Sequence, residues 1–451
     1  MEESEFIILG AGIAGMSAAS VLGDRAIVLE KGDRPGGLVK TECFDGYWFD
    51  HVIHLLYFED SHTENHIREL LGDELKPCLP EVWVETESGT VRFPFQFHLG
   101  GLDKKAVLSC LMDLARLTYV PRGKGPANFE EMLLGTFGGS MCDIFFLPYN
   151  RKVWKRPLAE LEPDGFVWNI QTGTLEKALR GALNPEMVFD GYNSRGWYPQ
   201  PRKFAPLRGM EILSKRLASR VGDLRLNHAI TEIDLDNKIV TAEHLGGSSY
   251  FKYTGRCVST LPLNRVLEMC PQTPAAIRNS LQNLKRNRVR YVDLSMKGPR
   301  PVGTGHWRYY ADESIIFTRL VYMHEFDPLS APDDGWGVMA EVIERGEDPP
   351  CPDENLYKRV EEDLNRVGAI PRDSRIVGRN IVTTDPAYLV FSLESREIID
   401  ESRAFLEKNG VTLLGRYGRW AYNSMAQVLH DSFNWAGEIS KSAQGATALP
   451  Q

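Results

Sequence analysis

The residues best suited to chemistry begin at position 10. Gly10-Ala11-Gly12-Ile13-Ala14-Gly15 is a G-x-G-x-x-G run between an apolar stretch, Glu5–Leu9, and a helix-prone stretch, Met16–Leu22. A second apolar stretch, Ala26–Leu29, ends at Glu30, twenty positions after Gly10. Strand, glycine run, helix, strand and acid in that order form the pattern of a dinucleotide site. Gly10 permits the tight turn, Gly12 lets backbone approach a pyrophosphate, and Gly15 lets helix and strand pack closely. The helix start offers free N–H groups and a positive dipole end to phosphate, and Glu30 is placed to accept from ribose hydroxyls. Two further residues stand out against apolar surroundings: His54 in Val52–Phe58, and Arg319 in Ile315–Val321. His54 reads either as a satisfied core histidine or as a proton carrier. Arg319 reads as solvent-facing, as structurally paired, or as an anion-binding group. A cation that interrupts an apolar strand is costly to bury unless paired, which favours a functional role.

The residues after Glu30 and Lys31 distinguish one dinucleotide from another. They read Asp33-Arg34-Pro35-Gly36-Gly37-Leu38, then Phe44-Asp45-Gly46-Tyr47-Trp48-Phe49-Asp50. This stretch resembles the flavin signature of the amine oxidase, protoporphyrinogen oxidase and UDP-galactopyranose mutase group. There an Arg-x-Gly-Gly loop follows the ribose acid and a GY-x-FD strand leads to the flavin ring. Arg256–Pro262 is similar to the strand that returns to the FAD domain in that group. Five further segments resemble the mutase in order and spacing: Arg92–Gln96, Pro148–Trp154, Phe317-Thr318-Arg319, Asp385–Tyr388 and Leu414–Val428. Departures from its pattern are Val52-Ile53-His54 for Gly-Gly-His, Ala421 for an arginine and Ser424 for an aspartate.

The resemblance implies FAD as cofactor, active in its reduced form, with NAD(P)H as a candidate reductant. It places Gly10, Gly12, Ile13, Ala14, Gly15, Glu30, Lys31, Gly36, Gly37, Leu38, His54, Gly415, Arg416, Met425, Ala426 and Gln427 at that cofactor. It gives His54 and Arg319 catalytic roles, with Arg319 gripping a nucleotide diphosphate. Trp154, Tyr388 and Tyr422 line the substrate, and Arg202 and Lys203 lie near the position of the family's mobile-loop arginine. Taken alone, the three aromatics read more simply as core or rim residues. The implied activity is a pyranose–furanose exchange on a nucleotide-activated sugar, UDP-galactose by default, through an adduct of the sugar with reduced-flavin N5. The alternative is an FAD-dependent oxidoreductase of the amine oxidase group. Arg151, Lys152, Lys155 and Arg156 read as a solvated helix face beside an anionic substrate.

These residues need an α/β frame: a Rossmann-like FAD-binding domain with a helical insert and an antiparallel β-sheet substrate domain. FAD-domain sequence falls at 1–56, 207–262 and 377–451, a discontinuous unit. Lys104–Leu117 and Phe129–Phe146 carry helical apolar spacing, so 100–200 reads as a mainly helical substrate or lid domain. Residues 263–376 read as the sheet domain, on Val289–Ser295, Trp307–Tyr310, Ile315–Tyr322 and Val338–Ile343, with a helix at Glu354–Val367. The tail from Ser440 reads as frayed. The chain's 451 residues, 43% hydrophobic and 25% charged, suit a folded protein. Lys+Arg 52 against Asp+Glu 61 gives a charge of −9, which argues against a nucleic-acid partner. No apolar run is long enough for a transmembrane helix, and the acidic start lacks a signal peptide's basic region. The seven cysteines show no zinc spacing, so no metal is expected, and reduced thiols point to the cytoplasm. A homo-oligomer is a candidate assembly.

Overall fold

The apolar run before the glycine fingerprint becomes the strand Glu2–Leu9, buried from Phe6 onward. It pairs in parallel with Ala26–Leu29 on one side and Gly247–Ser259 on the other. Asp223–Arg225 extends the sheet past Ala26–Leu29, and Val411–Leu413 pairs in parallel with Gly247–Ser259. Ala229–Asp234 and Ile239–His244 add an antiparallel flank. Seven strands from three stretches of chain thus build one Rossmann-like sheet. A parallel sheet covered on both faces needs continuous apolar strands, and Ile7, Ile8, Leu9, Val28 and Leu29 are fully buried. The helices Ile13–Leu22 and Met425–Ala446 pack together, and the Trp435 ring meets Phe6 edge-on at 6.0 Å. The computed structural model describes residues 1–119, 125–165, 174–187, 189 and 196–446.

A second seven-stranded sheet runs in the order Arg375–Leu389, Arg286–Lys297, Gly335–Arg345, Arg319–Tyr322, Trp307–Tyr310, Val82–Thr86, Gly89–Arg92. Its pairs are antiparallel except Trp307–Tyr310 with Val82–Thr86. Residues 377–389, expected in the FAD unit, belong instead to this sheet, in register from Arg286↔Leu389 to Lys297↔Arg375. The long strand Arg286–Lys297 leaves an edge that their alternating side chains can cover. The chain rejoins the first sheet only at Val411. The hairpin of Val82–Thr86 and Gly89–Arg92 comes from a stretch with no expected strand. Ile315–Phe317, expected as strand, lie in a connection that ends at Arg319.

Between the two sheets in sequence lie the helices Lys104–Tyr119, Phe129–Phe137, Leu147–Trp154 and Leu175–Leu183. Asn128 and Thr174 cap two of them, accepting from Glu131 N and Lys177 N. Parts of the 100–200 expectation, at 120–124, 166–173, 188 and 190–195, lie outside the described residues. The strand Gly196–Pro199 closes this stretch by pairing with Leu75–Cys78. Asp353–Arg366 is helical and buries Leu356, Val360 and Leu364 on one stripe. The last helix continues past Ser440 to Ala446, where fraying was expected. Among the described residues no helix is long and apolar enough to cross a membrane.

Candidate active site

Gly10 has φ of +99°, a turn that a side chain would strain. A Cβ on Gly15 would sit 2.1 Å from Gly10 O, so only glycine lets the helix lie this close to the strand. Gly12 is different: a Cβ there would meet nothing nearer than Gly37 Cα at 3.9 Å. The face above Gly12 is therefore open, at the start of the helix Ile13–Leu22 where N–H groups lack partners. Gly36 N donates to Ala11 O at 2.8 Å, which lays the Gly36-Gly37-Leu38 loop against the fingerprint. Gly415 closes another side, where a Cβ would lie 2.9 Å from that of Ala14. Glu30 accepts from Ala11 N at 2.9 Å and Gly32 N at 2.8 Å, which fixes its carboxylate at the strand end. Lys31 beside it is exposed. Met425 and Ala426 are buried at the start of the last helix, and Gln427 Oε1 accepts from Ser424 N at 2.9 Å. An open phosphate face, a placed acid and a glycine backbone on two further sides fit a dinucleotide.

The helical stretch and the second sheet line a cavity of about 150 Å³. The helical stretch gives it Phe129, Phe145, Phe146, Tyr149, Asn150, Val153 and Trp154, and the second sheet gives Tyr309, Arg319, Glu341 and Tyr388. Arg319 pairs across the sheet with Glu341. Its Nη2 donates to Glu341 Oε2 and, at 2.9 Å, to the Tyr291 hydroxyl, which in turn donates to Glu341. Thr318 Oγ1 donates to the other Glu341 oxygen at 2.8 Å. Burial opposes the Arg319 cation, but Glu341 and the surrounding phenols hold it protonated well above its ordinary range. Arg319 is therefore a fixed cation whose Nε has no partner among the described residues.

Arg416 stands next to this pair, its guanidinium 4.4 Å from the Tyr422 ring centre and 5.9 Å from that of Tyr388. Its Nε is likewise buried without a partner among the described residues. The Trp154 ring meets Tyr388 and Tyr422 edge-on at 6.1 and 6.0 Å, and its Nε1 donates to Asn150 Oδ1 at 3.1 Å. His54 lies within electrostatic reach of both arginines. Burial, reinforced by Arg416 and Arg319, lowers its pKa to about 4, so it is neutral at pH 7. Its Nδ1 lies 2.9 Å from Val52 O, which can only accept; Nδ1 therefore carries the proton and Nε2 the lone pair.

Residues 129–447 match the family model of flavin-containing amine oxidoreductases, and residues 8–73 match that of the NAD(P)-binding Rossmann-like domain. The chain belongs to the flavin-containing amine oxidoreductase family. Its fold is similar to that of a reduced UDP-galactopyranose mutase, with a TM-score of 0.88 over 97% of this chain and 96% of that one, at 20% identity. A candidate protoporphyrinogen oxidase from Exiguobacterium sp. 255-15 gives 0.68 over 98% and 99%, at 17% identity. A putrescine oxidase bound to putrescine gives 0.63 over 97% and 99%, at 15% identity. As a member of this family the chain is a flavin-dependent enzyme with a Rossmann-like fold.

Of the expected substrate residues, Trp154, Arg319 and Tyr388 meet around one cavity, and Tyr422 packs behind Trp154 without lining it; Arg416 lies against Tyr422, and His54 is within electrostatic reach of both arginines. Arg202 and Lys203 do not join them. Both are exposed, and Lys203 faces Asp333 at 3.8 Å. The cation that this segment buries is Arg208, held by Asp327 at 2.7 Å, so its charge is spent on the fold. The Tyr422 hydroxyl donates to Leu389 O, so its ring and not its proton is available to a neighbour. The basic run 151–156 is not one solvated face. Lys152 is buried, and Arg156 is engaged by Asn287 and Glu347. Sequence reasoning missed Glu341, although a carboxylate inside Val338–Ile343 breaks an apolar strand just as Arg319 does.

Proposed function

We propose that the chain is an FAD-dependent isomerase that interconverts the pyranose and furanose forms of a nucleotide-activated hexose, with UDP-galactose as the default substrate. One observation carries this reading: Arg319 lines an aromatic cavity, Arg416 lies beside the cavity's Tyr388, and the buried Nε of each has no partner among the described residues. Exchange of ring size needs the nucleotide diphosphate to leave and return at the same carbon. A leaving group with about two charges is best held by fixed guanidinium donors, which bind oxyanions by charge-assisted bonds. Arg319, pinned by Glu341 and Tyr291, reorganises little when charge develops. Arg416, backed by the Tyr422 ring, offers a second donor from the cofactor side. The aromatic wall of Tyr149, Trp154 and Tyr309 excludes water and suits a nucleobase face. His54, neutral and unprotonated at Nε2, can accept a proton from a sugar hydroxyl or the ring beside it and cannot donate one until it has done so. Reduced flavin, when bound, supplies a nucleophilic nitrogen for the bond exchange at the anomeric carbon.

NAD(P)H as the source of electrons and the cytoplasm as location belong to the same proposal. The location rests on seven free cysteines. A second reading, net oxidation of an amine, is favoured by the family and by the tyrosine-rich cavity, whose ring faces suit a cation. Dithionite-reduced holoprotein mixed with UDP-galactose separates the two. The mutase reading expects a chromatographically distinct isomer with no electrons consumed per turnover. Steady oxygen uptake with an amine and no isomer would overturn it.

A further inference from the structure

We infer that Lys152 is a positioning residue, whose ammonium clamps the connection leading to Arg319 against the helix that carries Trp154. Its Nζ donates to three main-chain carbonyls: Tyr310 O at 2.8 Å, Asp312 O at 2.9 Å and Phe317 O at 2.7 Å. Burial and the nearby Lys155 lower its pKa to about 7, and the charged form, whose three protons match the three carbonyls, is the form this geometry favours. The carbonyls are separated in sequence by up to seven positions yet converge on one atom, so the connection 310–318 is wrapped around this side chain. Lys152 is 4% exposed. Without it, Tyr310 O and Phe317 O would lose this donor in a buried place, which is costly, and Asp312 O would keep Ile315 N at 3.2 Å.

The clamp joins the two walls of the cavity. Tyr310 follows Tyr309 and Phe317 precedes Arg319 by two residues, while Lys152 lies between Asn150 and Trp154; all four neighbours line the cavity. The connection is also held by Tyr310 N to Thr318 O at 3.0 Å and by Ile316 N to Asp363 Oδ2 of the helix Asp353–Arg366 at 2.7 Å, but neither bond reaches the helix that carries Trp154. A parallel tie, Arg151 to Glu313 at 3.6 Å, is half exposed and holds weakly. The charged groups around Lys152 are Lys155 from its own helix end, Asp312 and Glu313 from the connection, and Asp363 from the helix Asp353–Arg366. The planar fork of arginine does not match three converging carbonyls, and methionine keeps the length but supplies no donor.

Two readouts on flavin-loaded protein, taken well below its melting temperature, test this. The first is amide hydrogen exchange in Lys152→Met. The inference expects faster exchange confined to 311–319 and 147–155, with the Rossmann strands unchanged. Uniform acceleration, or none, would overturn it. The second is UDP affinity, which rests on the proposed substrate; a loss of at least tenfold at unchanged flavin content is expected, and a value within twofold of wild type would overturn the inference. Should wild-type protein fail to bind UDP, the substrate reading falls, and the exchange pattern alone decides the role of Lys152. If Lys152→Met does not fold, Lys152→Arg is read in the same two ways.

Discussion

At the scale of single residues, the site turns on a buried ion pair. Arg319 and Glu341 are 13% and 2% exposed at their side chains. Breaking such a pair from one side leaves an uncompensated charge, which costs about 3–5 kcal/mol. Arg319→Met should therefore lose about that much stability, because Glu341 and Tyr291 remain behind it. Arg319→Met with Glu341→Gln should recover most of the loss, since no buried charge is then stranded. UDP affinity should recover in neither variant. Urea denaturation and ligand titration on the same two proteins check both halves. Recovery of UDP binding in the double variant would remove Arg319 from the substrate site. Arg319 was legible in the sequence because a cation inside an apolar strand demands an explanation. Glu341 obeys the same logic but occupies no motif, and only strand register shows that it faces Arg319. Arg202 and Lys203 misled because proximity in sequence to a mobile-loop position says nothing about burial.

At the scale of elements, the turn from first strand to first helix separates two roles that glycine plays. Gly12 has φ of −74°, which any residue adopts, and room for a Cβ. Gly15 has none, with Gly10 O at 2.1 Å. Gly12→Ala should consequently fold with a near wild-type melting temperature yet retain flavin poorly, because the methyl group intrudes on the phosphate approach. Gly15→Ala should instead lower the melting temperature itself by forcing helix and strand apart. Absorbance of the purified proteins near the flavin band, set beside their thermal unfolding, distinguishes the two. Equal flavin content in Gly12→Ala and wild type would detach that residue from the cofactor. This turn was readable because glycine spacing encodes a backbone shape. The hairpin at 82–92 and the membership of 377–389 were not, since each is decided by a partner strand far along the chain. Periodicity reveals that a segment alternates without revealing which sheet edge it will cover.

For the molecule as a whole, two sheets and a helical segment bury ionisable groups whose titration ties stability to pH. Burial lowers His54, His306 and His324 to about 4. Against an unfolded value near 6.5, the unfolded chain binds more protons in the window from about 6.5 to 4, so stability falls as pH falls through it. Each histidine contributes a slope of about 1.4 kcal/mol per pH unit there. Asp50 works the other way. Burial raises it to about 6, so the folded chain holds its proton between 3.8 and 6 and the associated stability is lost as pH rises. With Asp293 also raised, the carboxyls blunt the histidine slope without reversing it. His324 isolates the effect, because neither ring nitrogen has a hydrogen-bond partner among the described residues and the ring packs edge-on against both Tyr322 and Trp336. His324→Leu removes a buried imidazole that makes no hydrogen bond among the described residues and whose Nε2 lies 3.6 Å from a Glu325 carboxylate oxygen. Its stability at pH 7 should match or exceed that of wild type, and its decline from pH 6.5 to 4.5 should be shallower by about one proton's worth, near 1.4 kcal/mol per unit. Denaturant unfolding at several pH values measures this directly. An unchanged slope would mean that His324 is solvated or paired in solution, and the acid sensitivity of the fold would then rest on the other lowered histidines, His51, His54, His98 and His306.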